Sequence, residues 1–329
     1  MNHNRDLIDQ IQKLLKKRGI EALKIARREI LREKIECKEV TEALNYFMNK
    51  YWHVTARPGL LSIVCEAAGG DPATTLPITV PLILVSGGID IHDDIIDQSK
   101  IKWENRCTVF GKFGKEIALL VGDALIFKGF SLLLEAGKVI SAEKMHHVNR
   151  VIHSMFFELG DAQALELKLK NRLDVTPEEY IDVIIKKASD VEADFRIGAI
   201  LADLKKREVN ALGRYGRLLG MIIIIGEDYI DVFDPEELGN RIKNECLPLP
   251  IIYTLQNSDA RCKFKSLILK NRTDKILEFT EKEGGFAKTE ETMQKLANRA
   301  LPYLGRVKTE DNTLRKLLEA TLLAVKTSI

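Results

Sequence analysis

Two short acidic runs carry the clearest chemistry in this sequence. Residues 90–97 read Asp-Ile-His-Asp-Asp-Ile-Ile-Asp, and residues 226–231 read Gly-Glu-Asp-Tyr-Ile-Asp. On a helix, Asp93 and Asp97 stand at i and i+4 and share a face. Asp94 lies beside them, about 100° around the axis. Glu227 and Asp231 repeat that spacing, with Asp228 adjacent. Like charges so placed repel, so a counter-charge is expected. Mg²⁺ suits the role, because it takes oxygen ligands and bridges one or two carboxylates to substrate phosphates. A solvated acidic helix end is the alternative reading of either run alone. The apolar residues before each run, Leu82 to Ile89 and Met221 to Ile225, argue for buried neighbours instead. Taken together, the runs suggest two facing helices that clamp a metal–diphosphate.

The elements that must hold these residues read as helices. Leu7, Ile8, Ile11, Leu14 and Leu15 fall at i, i+3, i+4, i+7 spacing, and the pattern predicts a helix over 6–35. The same period predicts helices over 39–51, 114–137, 142–172, 177–205, 208–233, 261–282 and 287–325. Strand alternation is scarce. Breakers at Arg57-Pro58-Gly59, Gly69-Gly70-Asp71-Pro72, Asp234-Pro235 and Gly284-Gly285 mark short loops, not a linker. Stretches 76–91 and 218–226 are apolar nearly all round and belong at the centre of a bundle. The fold class is therefore all-α, and the reading is one domain over 1–329.

Composition narrows the function classes. With 45% hydrophobic residues in 329, a large core is available. Fifty basic residues against 48 acidic ones leave +2, so no nucleic-acid surface is expected. Cys37, Cys65, Cys107, Cys246 and Cys262 are scattered and odd in number. That argues against a disulfide framework or a structural zinc site, and a reducing cytoplasm is the natural compartment. The charged N-terminus has no apolar segment of a secretory signal. No stretch of about 20 uninterrupted apolar residues occurs, so no transmembrane segment is expected.

The motifs together resemble those of the trans-isoprenyl diphosphate synthases, such as geranylgeranyl and longer polyprenyl diphosphate synthases, over residues 40 to 325. Asp93-Asp94-Ile-Ile-Asp97 matches the family's first DDxxD motif; Glu227-Asp228-Tyr-Ile-Asp231 matches the second, with Glu for its first Asp. Phe113-Gly114 and Gly122-Asp123-Ala124-Leu125 match the FG and GDxL segments. Gln163-Ala-Leu-Glu-Leu167 matches GQxxDL, and Lys187-Ala-Ser matches the Lys-Thr-Ala segment, whose lysine contacts the allylic diphosphate. The resemblance implies an isoprenoid-synthase helical bundle around a central apolar cavity, usually a homodimer. It implies about three Mg²⁺ ions between Asp93, Asp94, Asp97, Glu227, Asp228 and Asp231 and an allylic diphosphate. The metal charge would stabilise departing pyrophosphate, and isopentenyl diphosphate would attack the allylic cation.

The departures from the family pattern cluster at the isopentenyl half. The GGKRxRP segment aligns with Trp52-His53-Val54-Thr55-Ala56-Arg57-Pro58, where only Arg57-Pro58 remains. A family histidine aligns with Ser86. The paired arginines fall near Lys102 and Arg106, and the Gly-Lys segment after the second motif reads Asn244-Glu245-Cys246. Arg57, Lys102, Arg106, Gln163 and Lys187 are the candidate diphosphate-binding residues. The loss of cations predicts weak affinity for isopentenyl diphosphate. It leaves two alternatives open: a synthase-like subunit of a heteromer, or an ionising class I terpene-synthase-like enzyme with another acceptor. His92 reads as either a helper of Asp93 or a packing residue. Cys246 has no triad pattern around it.

The resemblance also places the floor of a product tunnel about one turn before Asp93. Gly88 and Ile89 stand there, five and four residues ahead of it. Glycine offers no side chain to block the tunnel, so products of geranylgeranyl length or longer are expected. A turn of about 5.4 Å matches roughly one isoprene unit.

Overall fold

A computed structural model describes residues 2–52, 56–102, 106–270 and 272–327. His53, Val54 and Thr55 of the altered basic segment lie outside the described residues, as do Trp103, Glu104 and Asn105. The described chain is helical, with one antiparallel pair of two-residue strands.

The elements run in order. They are α1 (Asn2–Leu31), α2 (Lys38–Tyr46), a π-helical turn (Phe47–Tyr51), α3 (Ala56–Ala67), a 3₁₀ turn (Pro72–Thr75) and α4 (Leu76–Ile96). Strands β1 (Ile101–Lys102) and β2 (Arg106–Cys107) follow, then α5 (Val109–Phe113), α6 (Lys115–Ala136), α7 (Ala142–Leu169), α8 (Pro177–Lys187) and α9 (Ser189–Leu201). The chain ends with α10 (Lys206–Asp231), α11 (Pro235–Asn244), α12 (Leu249–Thr254), α13 (Ser258–Leu269), α14 (Thr273–Lys282), α15 (Gly285–Leu304) and α16 (Thr313–Thr327).

Three of the long predicted helices are split. The segment 177–205 breaks at Ala188 and stops before Asp203, which adopts φ 59°. The segment 261–282 divides into α13 and α14, and 287–325 into α15 and α16. The helix expected to reach 172 stops at Leu169, and Asn171 takes the left-handed region at φ 62°, which Asn tolerates well after a helix end. Periodicity alone missed these stops because apolar residues recur on both sides of each short turn.

The residues cluster into two compact units. One comprises Gln10–Arg150 and Ile197–Lys205; the other comprises Met1–Asp9, Val151–Arg196 and Lys206–Ile329. In the first, α4 packs along α6, and α1, α2, α5 and the π turn complete a shared core. Leu84, Ile91, Val121 and Leu125 are fully buried there. The mutual approach of α4 and α6 needs glycine. A Cβ on Gly88 would stand 2.5 Å from the Gly122 carbonyl oxygen, and one on Gly122 would stand 2.5 Å from His92 Nε2. In the second unit, α10 is the central helix, lying against α15, α16 and α8.

Three helical stretches are long and apolar enough to cross a membrane by length and composition: Pro72–Ile96, Lys115–Ala136 and Lys206–Asp231. The first and last place 67% and 72% of their apolar window inside the fold, so their hydrophobicity is used in packing. The α6 stretch buries only 28%. Its buried stripe, Ala118, Val121, Gly122 and Leu125, faces α4. Leu120, Phe127 and Leu134 on its other side remain 54%, 72% and 80% exposed.

Candidate active site

Each acidic cluster occupies the last turn of an apolar helix. The Asp97 amide still donates to the Asp93 carbonyl at 2.9 Å, so the i, i+4 relation expected from sequence holds to the end of α4. A helix C-terminus already carries partial negative charge. Carboxylates there are therefore doubly disfavoured and call for cations.

In the first unit, Asp94 is buried, and Lys102 Nζ lies 3.0 Å from its Oδ1. Burial pushes the Asp94 carboxyl up to about 7, against the pull of Lys102. Asp90, one turn earlier, is raised to about 6, again by burial, with Arg57 opposing the rise. Lys102 sits opposite Arg106 across the β1–β2 ladder, so this short hairpin presents two basic residues near the end of α4. Lys102, expected to meet a diphosphate, is thus already engaged with Asp94. His92 resolves toward packing: its Nε2 is buried between α4 and α6, 3.4 Å from Asp123 Oδ1.

The second unit holds the other cluster. Tyr180 of α8 donates its hydroxyl proton to Asp228 Oδ2, while Arg241 of α11 reaches Asp228 Oδ1 at 2.8 Å. The same Arg241 Nη2 donates to Asp231 Oδ2 at 2.6 Å. Glu227 has no ion-pair partner among the described residues. Surrounding protein, and then the charges of Asp228, Asp231 and Asp190, push its carboxyl up to about 7, although its side chain remains open to solvent. Local sequence fixes Arg241 in place. Asp234 accepts from the Glu236 and Glu237 amides, and Pro235 opens α11, so the helix begins after a three-residue connection from α10 and turns its basic last turn toward Asp231.

Lys187, at the end of α8, forms an ion pair with Glu166 of the Gln163–Leu167 segment. Gln163 Nε2 is buried without a hydrogen-bond partner among the described residues. Cys246 is buried and its thiol is pushed up to about 12 by that burial, so it is a protonated core residue and no nucleophile. The five cysteines are all free.

The tunnel-floor expectation at Gly88 is corrected. The missing side chain does not leave open space, because the α6 backbone and Ile126 occupy it. Gly87 faces Phe47 and Trp52 in the same manner, with those two rings stacked 5.3 Å apart. Gly88 allows the approach of α6 and Gly87 makes room for the two rings, which a sequence motif cannot distinguish from an open tunnel. Ile89, the other tunnel candidate, is half-buried.

Sequence reasoning also missed Arg241 and Tyr180. Neither lies at helical spacing from the acidic run. Only the turn at Asp234 and the packing of α8 on α10 bring them there.

The donor set fits a hard divalent cation, being all carboxylate oxygens on two helix ends. Asp93 and Asp97 would hold it in the first unit, and Glu227, Asp228 and Asp231 in the second. Among the described residues, no three acidic, imidazole or thiol side chains converge as a ready-made cage.

Comparison with known proteins decides the family. The model of the polyprenyl synthetase family matches residues 55–281. The chain belongs to the polyprenyl synthetase family. As a family member it is 30% identical over 268 residues to the geranylgeranyl diphosphate synthase of Methanosarcina mazei, covering 81% of this chain and 82% of that one. It is 31% identical over 211 residues to the short chain isoprenyl diphosphate synthase of Methanothermobacter thermautotrophicus. That match covers 62% of this chain and spans 64% of the relative's length. The crystal structure of geranylgeranyl pyrophosphate synthetase from Pyrococcus horikoshii superposes with a TM-score of 0.79 at 24% identity, covering 98% of both chains. This likeness establishes the all-α fold of these synthases for this chain.

Proposed function

We propose that this polyprenyl synthetase is a Mg²⁺-dependent trans-prenyltransferase that ionises an allylic diphosphate and condenses it with isopentenyl diphosphate. The observation that carries the reading is the paired one: two apolar helices, α4 and α10, each ending in carboxylates at the same spacing, in a chain of this family. Mg²⁺, about three ions by analogy with the family, would neutralise charge on the departing diphosphate. Asp93 and Asp97, with Asp94 behind them, and Glu227, Asp228 and Asp231 are the proposed ligands. Lys187, Gln163, Arg57, Lys102 and Arg106 are the proposed contacts to diphosphate oxygens. In the reaction, the allylic C–O bond breaks with its electron pair leaving on pyrophosphate. The double bond of isopentenyl diphosphate forms the new C–C bond, and a proton then departs. The chain's own task is to hold the diphosphate and keep water from the cation with apolar walls. We read residues 1–329 as one catalytic domain, because the family match runs through both units.

The altered isopentenyl half favours a second reading. Val54 and Thr55 stand where the family has Lys and Arg, and the segment that carries Gly-Lys after the second motif reads Asn244-Glu245-Cys246, without that lysine. Each missing charged contact is worth about 1.5–3 kcal/mol. A partner synthase subunit that completes the site, or a different acceptor, would then be required.

The exposed Leu120, Phe127 and Leu134 stripe on α6 supports burial against a second copy, so we propose a homodimer, with a heteromer as the alternative. A product of geranylgeranyl length or longer and a cytoplasmic location complete the proposal. The test is to incubate purified chain and Mg²⁺ with labelled isopentenyl diphosphate and allylic diphosphates of graded length. Elongated product with a high KM for isopentenyl diphosphate is expected. No product with any allylic substrate, with or without a partner synthase subunit, overturns the reading.

A further inference from the structure

Arg241 occupies an unusual place for a charged side chain. Its guanidinium is 14% exposed and is ringed by acids. Nη2 lies 2.8 Å from Asp228 Oδ1 and 2.6 Å from Asp231 Oδ2, Nε donates to the same Asp231 oxygen at 3.2 Å, and Nη1 lies 3.5 Å from Glu245 Oε2. Glu245 is itself oriented by the Asn240 amide, which donates to its other oxygen at 2.6 Å. The remaining Asp228 oxygen accepts from Tyr180. Both Asp228 oxygens therefore have internal donors, and one planar cation bridges two of the three carboxylates at the end of α10. A bridging guanidinium suits two carboxylates better than a lysine ammonium, because its donors form a rigid fork. Glu227 alone in the cluster has no cation partner among the described residues.

From this geometry we infer that Arg241 is the resident counter-cation of the second carboxylate cluster and competes with divalent metal for Asp228 and Asp231. The inference rests on the proposed function, in that it takes this cluster to be a metal site. Metal gains the Arg241-bound oxygens of Asp228 and Asp231 only by displacing the guanidinium. The displaced group is a cation on a helix beside the site, suited to an incoming diphosphate, so metal and diphosphate together reverse the lock that either alone opens poorly. At the first cluster Lys102 is a point charge on Asp94, and no cation pairs with Asp93 among the described residues.

The test counts bound Mn²⁺ by the loss of the free-ion EPR signal, using the full chain. Asp93→Asn and Asp97→Asn together silence the first cluster. In that background, Arg241→Gln is expected to bind Mn²⁺ at least tenfold more tightly than the chain that keeps Arg241. Adding inorganic pyrophosphate should narrow the difference. Arg241→Gln should also melt lower in EDTA and regain its loss in Mn²⁺, which a merely structural arginine would not show. Should Arg241→Gln fail to fold, Arg241→Lys, which can satisfy only one carboxylate, should give an intermediate affinity. Equal Mn²⁺ affinity with and without Arg241 overturns this inference and leaves the two-cluster reading standing. Absence of Mn²⁺ binding at the second cluster in every variant, with pyrophosphate present, overturns both.

Discussion

The two carboxylate clusters look alike in sequence and differ in how the protein neutralises them. At the end of α4, one lysine meets one buried aspartate, and that aspartate is also held up near neutrality by burial. At the end of α10, one arginine bridges two aspartates, with a tyrosine hydroxyl and a third acid around it. The Asp94 carboxyl can give up its charge by taking a proton. The Arg241 guanidinium cannot, because it stays protonated at any accessible pH. Equal motifs can therefore offer unequal access to metal, and the difference lies in residues outside the motifs.

The largest expected effect breaks the metal reading itself. Asp93→Ala or Asp97→Ala should lower turnover by about 10²–10³-fold or more, since each removes a ligand that acts on the leaving group. Steady-state assays on variants with unchanged circular dichroism decide it, and wild-type rates in either would sink the clamp. Glu227→Asp should retain most activity, because a shorter stem carries the same oxygen donor, whereas Glu227→Gln should not.

Next in size is the contrast between the two cations. In EDTA, Arg241→Gln should destabilise the fold by about 3 kcal/mol, because it strands two partly buried carboxylates. Lys102→Gln should cost about 1 kcal/mol, because Asp94 can remain protonated instead. Denaturant melts would compare the two, and a larger loss for Lys102→Gln would invert the comparison.

Gly88→Ala tests the corrected tunnel floor. Its methyl group would press on the Gly122 carbonyl, so α4 and α6 must part, at about 1–3 kcal/mol. Thermal melts should register that loss. An undiminished melting temperature with a shortened product would restore the original role of Gly88 as tunnel floor.

The smallest effect concerns pH. Asp94 and Asp90 have folded values raised to about 7 and about 6, above their unfolded ones. Groups raised in this sense favour folding when protonated, so their contribution is full below about pH 4 and fades as pH rises through about 7. The metal-free chain should melt a few degrees lower at pH 8 than at pH 5.5, and Mg²⁺ should recover more of the loss at the higher pH. A flat profile in EDTA would mean that these carboxyls are better solvated than their surroundings suggest.

The sequence by itself determined the helical class, the central positions of α4 and α10, and the spacing of both acidic runs. These are local or periodic properties: an apolar helix must be buried, and i, i+4 residues must share a face wherever the helix lies. The places where 177–205, 261–282 and 287–325 break were not legible, because apolar residues recur on both sides of each turn. Only the tertiary structure decided what each carboxylate touches. Lys102 reaches Asp94 through a hairpin, Arg241 reaches Asp228 and Asp231 around the Asp234 turn, and Tyr180 arrives from a helix 48 residues away in the chain. The same holds for Gly88, whose missing side chain reads in sequence as open space and is in fact filled by α6. Spacing along one element fixes direction, whereas the partner that meets a side chain is set by packing between elements, which no local pattern encodes.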